Sequence, residues 1–213
     1  MTGTDTGVGK TVASAALLHR YRPARVRYWK PIQTGIEQDD DTAEVRRLAV
    51  CRDDEILDQG IRLPNPVSPH LAAERAGVTI TLERLRAVLP EDETTRWIVE
   101  GAGGALVPVN GRELMVDWMR VLGLPVLVAA RSGLGTINHT LLTLEALRSR
   151  GLSVAGIIMI GERNESNRAA LENYGRIPVM GEMPLFPVLD GATLGRWSMA
   201  ELDAQNRLLE YFR

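Results

Sequence analysis

Short apolar runs alternate along this chain with longer segments whose apolar residues recur at helical spacing. Apart from Arg27, the runs 26–29, 97–99, 125–130, 154–160 and 177–180 are apolar on both faces, which is typical of strands buried in a parallel sheet. Periodicity and capping residues predict helices at 11–20, 42–49, 81–89, 114–122, 136–150 and 200–211. This alternation predicts an α/β fold, a mostly parallel sheet with helices on both faces, in a single domain over residues 1–213.

The segment Gly3–Thr11 carries the strongest chemical signal, because it places three glycines ahead of a lysine and a threonine where a helix begins. Glycines let backbone N–H groups turn inward towards an anion, and the helix start adds unpaired N–H groups and a positive dipole end. Lys10 can reach the β and γ phosphates of a nucleoside triphosphate, and the Thr11 hydroxyl can hold Mg²⁺. The alternative is a glycine-rich turn before an ordinary helix. The apolar helix behind the loop favours phosphate binding and a P-loop NTPase-like fold.

This loop departs from the simple P-loop pattern. Gly3 stands one position before the place where that pattern has its first glycine. Only Met1 and Thr2 precede it, although a P-loop normally follows a buried strand. Either the first strand is clipped in this numbering, or the sheet lacks most of a central strand.

Polar residues follow the predicted strands at the edge where open parallel sheets bind ligands. Lys30 follows strand 26–29 and can add a second cation near the γ-phosphate, and a turn at Gly35 can aim the Thr34 hydroxyl into the site. Glu100 follows strand 97–99, where a P-loop fold keeps its metal-binding acid. A second Mg²⁺ carboxylate can come from the run Asp39–Asp41. The structural alternatives are a solvated lysine, a tight glycine turn and a solvated acidic loop.

The loop Ser132–His139 leads into the long predicted helix and is a second candidate anion site. It can bind a carboxylate as readily as a phosphate. Alternatively, Thr136 or Asn138 only caps the helix. No serine–histidine–aspartate or cysteine–histidine arrangement can be identified from the sequence, and no cluster suggests zinc.

Composition narrows the class of protein further. A chain of 213 residues can bury a full core, and its net charge of −2 argues against a general nucleic-acid binder. We expect no membrane partner, because no apolar run approaches the length of a membrane span and no signal peptide precedes the loop. The single Cys51 fits a reducing cytosol and predicts a cytoplasmic protein.

Four motifs together resemble those of the dethiobiotin synthetase family, and their order and spacing run through nearly the whole chain. They are Gly3–Thr11, Lys30–Gly35, Val99–Gly104 and Leu134–Thr140, and Asn65–His70 is similar to that family's loop near the substrate. The resemblance implies an ATP-dependent ligase of biotin biosynthesis that acts on 7,8-diaminononanoate and CO₂. One amine forms a carbamate, ATP phosphorylates it to a carbamic-phosphoric anhydride, and the second amine closes the ureido ring to give dethiobiotin, ADP and phosphate.

The resemblance also implies roles for individual residues. The implied catalytic residues are Lys30, Lys10 and Thr34. The implied Mg²⁺ ligands are Thr11, Asp41 and Glu100. The residues implied to bind ATP are Gly7, Val8, Gly9, Lys10, Thr11, Val12, Asp41, Glu100, Gly101, Ala102, Gly103, Pro184, Leu185 and Phe186. The substrate would contact Thr34, Ser68, Gly135, Thr136, Ile137 and Asn138, and the segment from Gly135 to Asn138 would receive its carboxylate across a homodimer interface.

Two positions differ from the family pattern. Gly7 stands where some relatives have an acidic residue, so no catalytic side chain is expected there. Ile160 stands where some members carry an asparagine that reads the nucleotide base, which weakens the expectation of strict adenine preference.

Two rival interpretations remain at this stage. A switch ATPase of the MinD/ParA kind would carry a signature lysine where this chain has Asp5. The ATP-binding half of a cobyrinic-acid-type amidotransferase would need a glutaminase domain with a nucleophilic cysteine, and we expect no such domain behind Phe212.

Overall fold

The structure, a computed structural model, describes residues 1–90 and 95–212. The strands in this part of the chain are β1 (Thr2–Gly3), β2 (Val26–Trp29), β3 (Ile32–Thr34), β4 (Ile56–Leu57), β5 (Ile61–Leu63), β6 (Arg96–Val99), β7 (Val126–Arg131), β8 (Val154–Ile160) and β9 (Val179–Met183). The α-helices are α1 (Lys10–Tyr21), α2 (Asp41–Ala49), α3 (Pro69–Arg75), α4 (Leu82–Arg86), α5 (Met115–Leu122), α6 (Thr136–Arg148), α7 (Glu165–Gly175) and α8 (Gly191–Ala200).

A short central strand, β1, connects the two halves of the main sheet. On one side it pairs in parallel with β7, which is followed by β8 and β9. On the other side the Met1 amino group donates to the Val99 carbonyl (2.7 Å), and the Gly101 N–H donates to the Met1 carbonyl (2.9 Å). These bonds join β1 to β6, which pairs with β2, which pairs with β4. The resulting order is β4-β2-β6-β1-β7-β8-β9, and β3 and β5 pair separately.

Helices cover both faces of this sheet. One buried cluster includes Leu17 of α1, Leu48 of α2 and Leu194 of α8. The opposite cluster includes Trp118 of α5 and Leu144 of α6. The predicted α/β fold with a mostly parallel sheet is therefore confirmed. Among the described helices, none is both long enough and apolar enough to cross a membrane.

The largest error of the sequence prediction is the helix at 200–211. The helix there, α8, ends at Ala200, and a separate 3₁₀ segment covers Arg207–Phe212. Asp203 separates the two, because its backbone is left-handed (φ 46°) and its carboxylate accepts the N–H groups of Arg207 and Leu208. The start of α8 is fixed earlier, by Asp190, whose side chain accepts the Thr193 N–H.

Other elements are shorter than predicted or were missed. The structure ends α6 at Arg148, not at residue 150, and limits the helix at 81–89 to α4. The prediction missed α3, α7 and α8, and the short strands β3, β4 and β5. Few apolar residues mark α7, but Asn164 caps it by accepting the Asn167 N–H.

Candidate active site

The order of the strands brings three chemical groups to one edge of the sheet. β6 lies between β2 and β1, and the carboxyl ends of these strands lead to Lys30, Glu100 and the loop at 4–9. The β2–β6 register pairs Trp29 with Val99, so the next residues, Lys30 and Glu100, are adjacent. Strand pairing thus assembles side chains that lie 70 residues apart in sequence.

The phosphate loop has the backbone that its glycines predict. Gly7 and Gly9 have φ angles of 68° and 92°, which favour residues without a side chain. A Cβ added to Gly9 would lie 2.9 Å from the Ile160 Cδ1, so Ile160 packs directly against the loop. Lys10 is only 7% exposed, and its ammonium donates to the Asp5 carbonyl at 3.3 Å. The loop is therefore shaped around its lysine.

A compact ionic cluster lies beside this loop. The Lys30 Nζ is 2.6 Å from the Asp41 Oδ2 and 2.8 Å from the Glu100 Oε1, and it also donates to the Gly101 carbonyl (3.2 Å). The Thr11 hydroxyl contacts the same two carboxylates, at 2.6 Å from Asp41 and 3.1 Å from Glu100. Glu100 is fully buried and Lys30 is 3% exposed. The cluster holds opposite charges together out of water.

Burial and charge act against each other on the pKa values of this cluster. Burial disfavours the Lys30 ammonium, but the charges of Glu100 and Asp41 outweigh it and raise the pKa of Lys30. Burial opposes ionisation of Asp41 as well, yet contact with Lys30 lowers the pKa of that carboxyl. The pKa of Lys10 is lowered by burial and then by the charge of Lys30. The surroundings therefore favour the charged form of Lys30 and disfavour that of Lys10.

The oxygen atoms of this cluster suit a magnesium ion. Thr11, Asp41 and Glu100 offer a hydroxyl and two carboxylates, the hard ligands that Mg²⁺ prefers, and they already converge within hydrogen-bonding distance. The structure also distinguishes the environments of the three neighbouring aspartates. Asp40 caps α2 by accepting the Ala43 N–H, Asp39 is exposed, and only Asp41 reaches the cluster.

Sequence reasoning missed Tyr28, whose hydroxyl donates to the Glu100 Oε2 at 3.0 Å. Strand alternation provided a signal, because Tyr28 lies two residues before Lys30 and so shares its face of the sheet. At the end of β7, Arg131 donates to the Asp5 Oδ2 (3.2 Å). Composition is a further signal for the two lysines of the site. Lys10 and Lys30 are the only lysines of the sequence, which has 23 arginines.

The predicted substrate residues fall into two groups. Thr34 ends β3, and the loop that holds Ser68 lies against it, because the Gly35 N–H donates to the Asn65 carbonyl (3.1 Å). The Ser68 hydroxyl is 3.0 Å from the His70 Nδ1. The second group begins α6. Gly135 and Asn138 are exposed there, Thr136 is buried and Ile137 is partly buried. The second group follows β7, which lies three strands away from β2 in the main sheet. A single chain therefore does not bring the two groups together at the same strand end.

The predicted base-binding residues follow β9 at the same edge of the sheet. Leu185 is 74% exposed, and Pro184 is exposed as well. Phe186 is partly buried and packs edge-on against Trp197, with ring centroids 6.3 Å apart. β8 and β9 lie beyond β7, so this segment and the ionic cluster lie on opposite sides of the phosphate loop.

Comparison with known proteins finds relatives that match most of the chain. The chain matches a family described as an AAA domain over residues 1–193. It is 45% identical to the ATP-dependent dethiobiotin synthetase BioD of Brucella ovis over 87% of this chain and 84% of that protein. It is 46% identical to the protein of the same name from Paramagnetospirillum magneticum over 91% of each chain. It is 47% identical to the biotin biosynthesis bifunctional protein BioCD of Bordetella avium, but the match spans only 42% of that longer protein.

Two solved structures share the fold. The septum site-determining protein MinD of Pyrococcus horikoshii, complexed with Mg-ADP, aligns with a TM-score of 0.55 at 14% identity, over all of this chain and 90% of that one. A ParA family ATPase from Chlorobium tepidum aligns with a TM-score of 0.52 at 10% identity, over all of this chain and 95% of that one. At such low identity these matches support the P-loop fold and no particular activity.

Proposed function

The chain belongs to the family of ATP-dependent dethiobiotin synthetases, the ligases of biotin biosynthesis, and we propose that the cluster of Lys30, Asp41, Glu100 and Thr11 carries its chemistry. The observation that supports this most directly is the position of the Lys30 Nζ, between two carboxylates and next to the loop that holds Lys10. A buried ammonium with a raised pKa keeps its charge where negative charge develops on a transferring phosphoryl group.

The phosphate loop would bind the triphosphate. Val8, Gly9, Lys10, Thr11 and Val12 form the end of the loop and the start of α1, where N–H groups and the helix dipole favour anions. The Lys10 ammonium would leave the Asp5 carbonyl for the phosphates. Phosphoryl transfer from a triphosphate depends on positioning and charge neutralisation more than on a protein nucleophile.

Magnesium would be held by Thr11, Asp41 and Glu100. When bound, the ion neutralises phosphate charge. The MinD protein, which has the same fold, was solved in complex with Mg-ADP, and this supports the choice of cofactor. Removal of divalent ions with a chelator should abolish turnover, and added Mg²⁺ should restore it.

The substrate would be a diamine acid that meets CO₂ beside Lys30 and Thr34. Lys30 would stabilise the carbamate by its charge, and the Thr34 hydroxyl would donate a hydrogen bond to it. Ser68 lies in the loop packed against this strand end. The start of α6 would hold the substrate carboxylate from the partner subunit of a homodimer.

A phosphate-release assay tests the proposed reaction. The purified chain is incubated with Mg²⁺ and each nucleoside triphosphate, with or without 7,8-diaminononanoate and bicarbonate. We expect release that requires both the diamine and bicarbonate, with formation of dethiobiotin detected by mass spectrometry. Hydrolysis independent of the diamine would contradict the proposal. The range of accepted nucleotides shows whether adenine is strictly required.

The shared site needs a separate test, for which exposed apolar residues provide matched variants. Leu134, at the start of α6, is fully exposed, whereas Val121 on α5 is 44% exposed. L134D should produce monomers in sedimentation and raise the KM for the diamine about tenfold or more, with little effect on the KM for ATP. V121D is the control. A monomeric L134D protein with an unchanged diamine KM would rule out the shared site.

A further inference from the structure

Arg62 on β5 lies outside the ionic cluster, and its guanidinium binds three separate segments of the chain. One nitrogen, Nη1, donates to the Lys30 carbonyl at 2.8 Å. The other, Nη2, donates to the Thr42 hydroxyl at 3.4 Å and to the Asp58 carbonyl at 3.3 Å. Burial lowers the pKa of the guanidinium, and the charge of Asp40 opposes that shift. Arg62 thus links the end of β2, the start of α2 and the turn between β4 and β5.

The bond to the Lys30 carbonyl fixes the point where the chain leaves the main sheet. Lys30 directly follows β2, and the next residue, Pro31, has no N–H group. The Ile61 N–H donates to the Pro31 carbonyl at 2.9 Å, so β5 holds two successive carbonyls. A Cβ added to Gly60 would lie 2.7 Å from the Arg62 Nη1 and 3.0 Å from the Lys30 carbonyl oxygen, so the glycine leaves room for this contact. The backbone that carries the Lys30 ammonium is therefore held from β5.

The pair of strands β3 and β5 also holds both sides of Asp41. Thr42, which accepts from Arg62, is 6% exposed and immediately follows Asp41 in the first turn of α2. Gln33 is the partner of Arg62 in the β3–β5 register, and its Nε2 donates to the Asp39 carbonyl at 2.6 Å. The chain before Asp41 is thus tied to β3, and the chain after it is tied to β5.

From these contacts we propose that Arg62 is a positioning residue, which acts through Lys30 and Thr42 to align the Lys30 ammonium with the Asp41 carboxylate. This role rests on the proposed function, because Lys30 is the residue that it serves. A guanidinium suits the role because it is planar, stays charged and donates in several fixed directions, whereas a lysine ammonium is a point charge. A displacement of about 1 Å in a catalytic group can cost about 100-fold in rate, so support of this kind affects turnover.

Two matched methionine variants separate positioning from stability. R62M keeps the apolar stem but removes every donor. R46M is the control, because Arg46 pairs with the side chains of Asp53 and Asp58, both at 2.9 Å, and not with the cluster. R62K, used for kinetics only, restores charge with a different donor geometry. Turnover is measured as kcat and KM per folded molecule, with the folded fraction and the Tm from circular dichroism.

A spectroscopic readout follows the Lys30 ammonium without any substrate. The sequence has only two lysines, so protein labelled with ¹⁵N at the lysine side chains gives at most two ammonium signals, and K30R identifies that of Lys30. Exchange of its protons with water should be slow in the unmodified chain, because Asp41 and Glu100 both accept from it. R62M should accelerate this exchange about tenfold, and R46M should leave it unchanged.

The kinetic arm measures the consequence for turnover. R62M should lower kcat about tenfold or more and change the KM for ATP less than about threefold, since the phosphate loop is intact. R62K should fall between R62M and the unmodified chain. R62M with unchanged ammonium exchange and unchanged kcat would overturn the proposal even if its Tm fell, because Arg62 would then only stabilise the fold. Equal losses in R46M would also overturn it, by showing a general effect of removing positive charge.

The two readouts separate the role of Arg62 from the proposed function. Accelerated exchange in R62M, in a chain that shows no diamine-dependent turnover, would refute the function and support the positioning of Lys30. Diamine-dependent turnover that R62M leaves intact would refute the positioning role alone. If R62M does not fold, R62K decides the question, and a kcat equal to that of the unmodified chain would then overturn the proposal.

Discussion

At the scale of single residues, the Lys30 ammonium contacts both carboxylates of the ionic cluster. K30A should lower the rate of diamine-dependent phosphate release by about 100-fold or more, since a charge aimed at the transferring group is lost. ATP affinity, measured with a fluorescent analogue, should change little because the phosphate loop is intact. K30R is the second variant. It restores charge but not the compact ammonium, so it should remain strongly impaired. Near-normal turnover of K30A would exclude Lys30 from catalysis.

The scarcity of lysine allows a second test at this scale. Lys10, Lys30 and the Met1 amino group are the three primary amines of the sequence. An acyl-phosphate derivative of ATP transfers its acyl group to an unprotonated amine near the phosphates. We expect the label on Lys10, whose pKa is lowered, rather than on Lys30, whose pKa is raised. Peptide mapping identifies the labelled residue, and excess ATP should protect it. Preferential labelling of Lys30 would contradict the directions of the pKa shifts given for Lys10 and Lys30.

Tyr28 should act on stability through Glu100. Y28F removes the donor to a fully buried carboxylate oxygen, so the free energy of unfolding should fall by about 1–3 kcal/mol in urea denaturation. The control is Y174F, at a residue that is 70% exposed, and it should change stability little. Equal stability of both variants would show that this hydrogen bond contributes nothing.

The sequence predicted the backbone and the charged residues of this site better than their contacts. Lys30 and Glu100 were predictable because each follows directly on a short, mostly apolar run. It could not select Asp41 from three adjacent aspartates without the family resemblance, since helix phase and sheet register decide which carboxylate faces Thr11. Tyr28 looked like a core residue because strand periodicity gives a buried face but not a hydrogen-bonding partner.

At the scale of elements, α2 begins beside the ionic cluster, and Asp40 caps it. D40A should lower the free energy of unfolding by about 1 kcal/mol, because the Ala43 N–H loses its acceptor. D39A is the matched control, since the Asp39 side chain is exposed and does not cap the helix, and it should have little effect. Chemical denaturation measures both. A loss of stability in D39A equal to that in D40A would point to general acidic-loop effects instead of capping.

Elements with strong apolar periodicity were predictable, and those fixed by single polar residues were not. β7 and β8 are continuous apolar runs, and the structure confirms both. The chain around Asp203 has the composition of a helix, but the left-handed backbone of Asp203 interrupts it, and its carboxylate accepts two N–H groups of the separate 3₁₀ segment. α7 is largely polar on its surface, so its cap at Asn164 was the only strong signal.

At the scale of the whole molecule, the short central strand decides how the two halves of the sheet meet. A two-residue β1 still joins β6 to β7, because Met1 and Gly101 extend the ladder beyond the strand itself. The phosphate loop therefore keeps its support at the carboxyl end of the sheet. At the other end of β1, the buried ammonium group of Met1 donates to the Val99 carbonyl.

That buried ammonium predicts how the stability of the entire fold depends on pH. The folded-state pKa of the Met1 amino group is about 6 and its ordinary value is 8.0, so the unfolded chain binds more protons between these values. The free energy of unfolding should therefore rise from pH 6 to pH 8, by about 2–3 kcal/mol from this group. Urea denaturation across that range measures it. The control is the same chain acetylated at Met1, which lacks the free amine but retains all three histidines. In this form only the histidines should contribute to the pH dependence of the free energy of unfolding. Identical pH profiles for the two forms would show that the amino group is solvated in the folded protein and that its hydrogen bond to Val99 does not form.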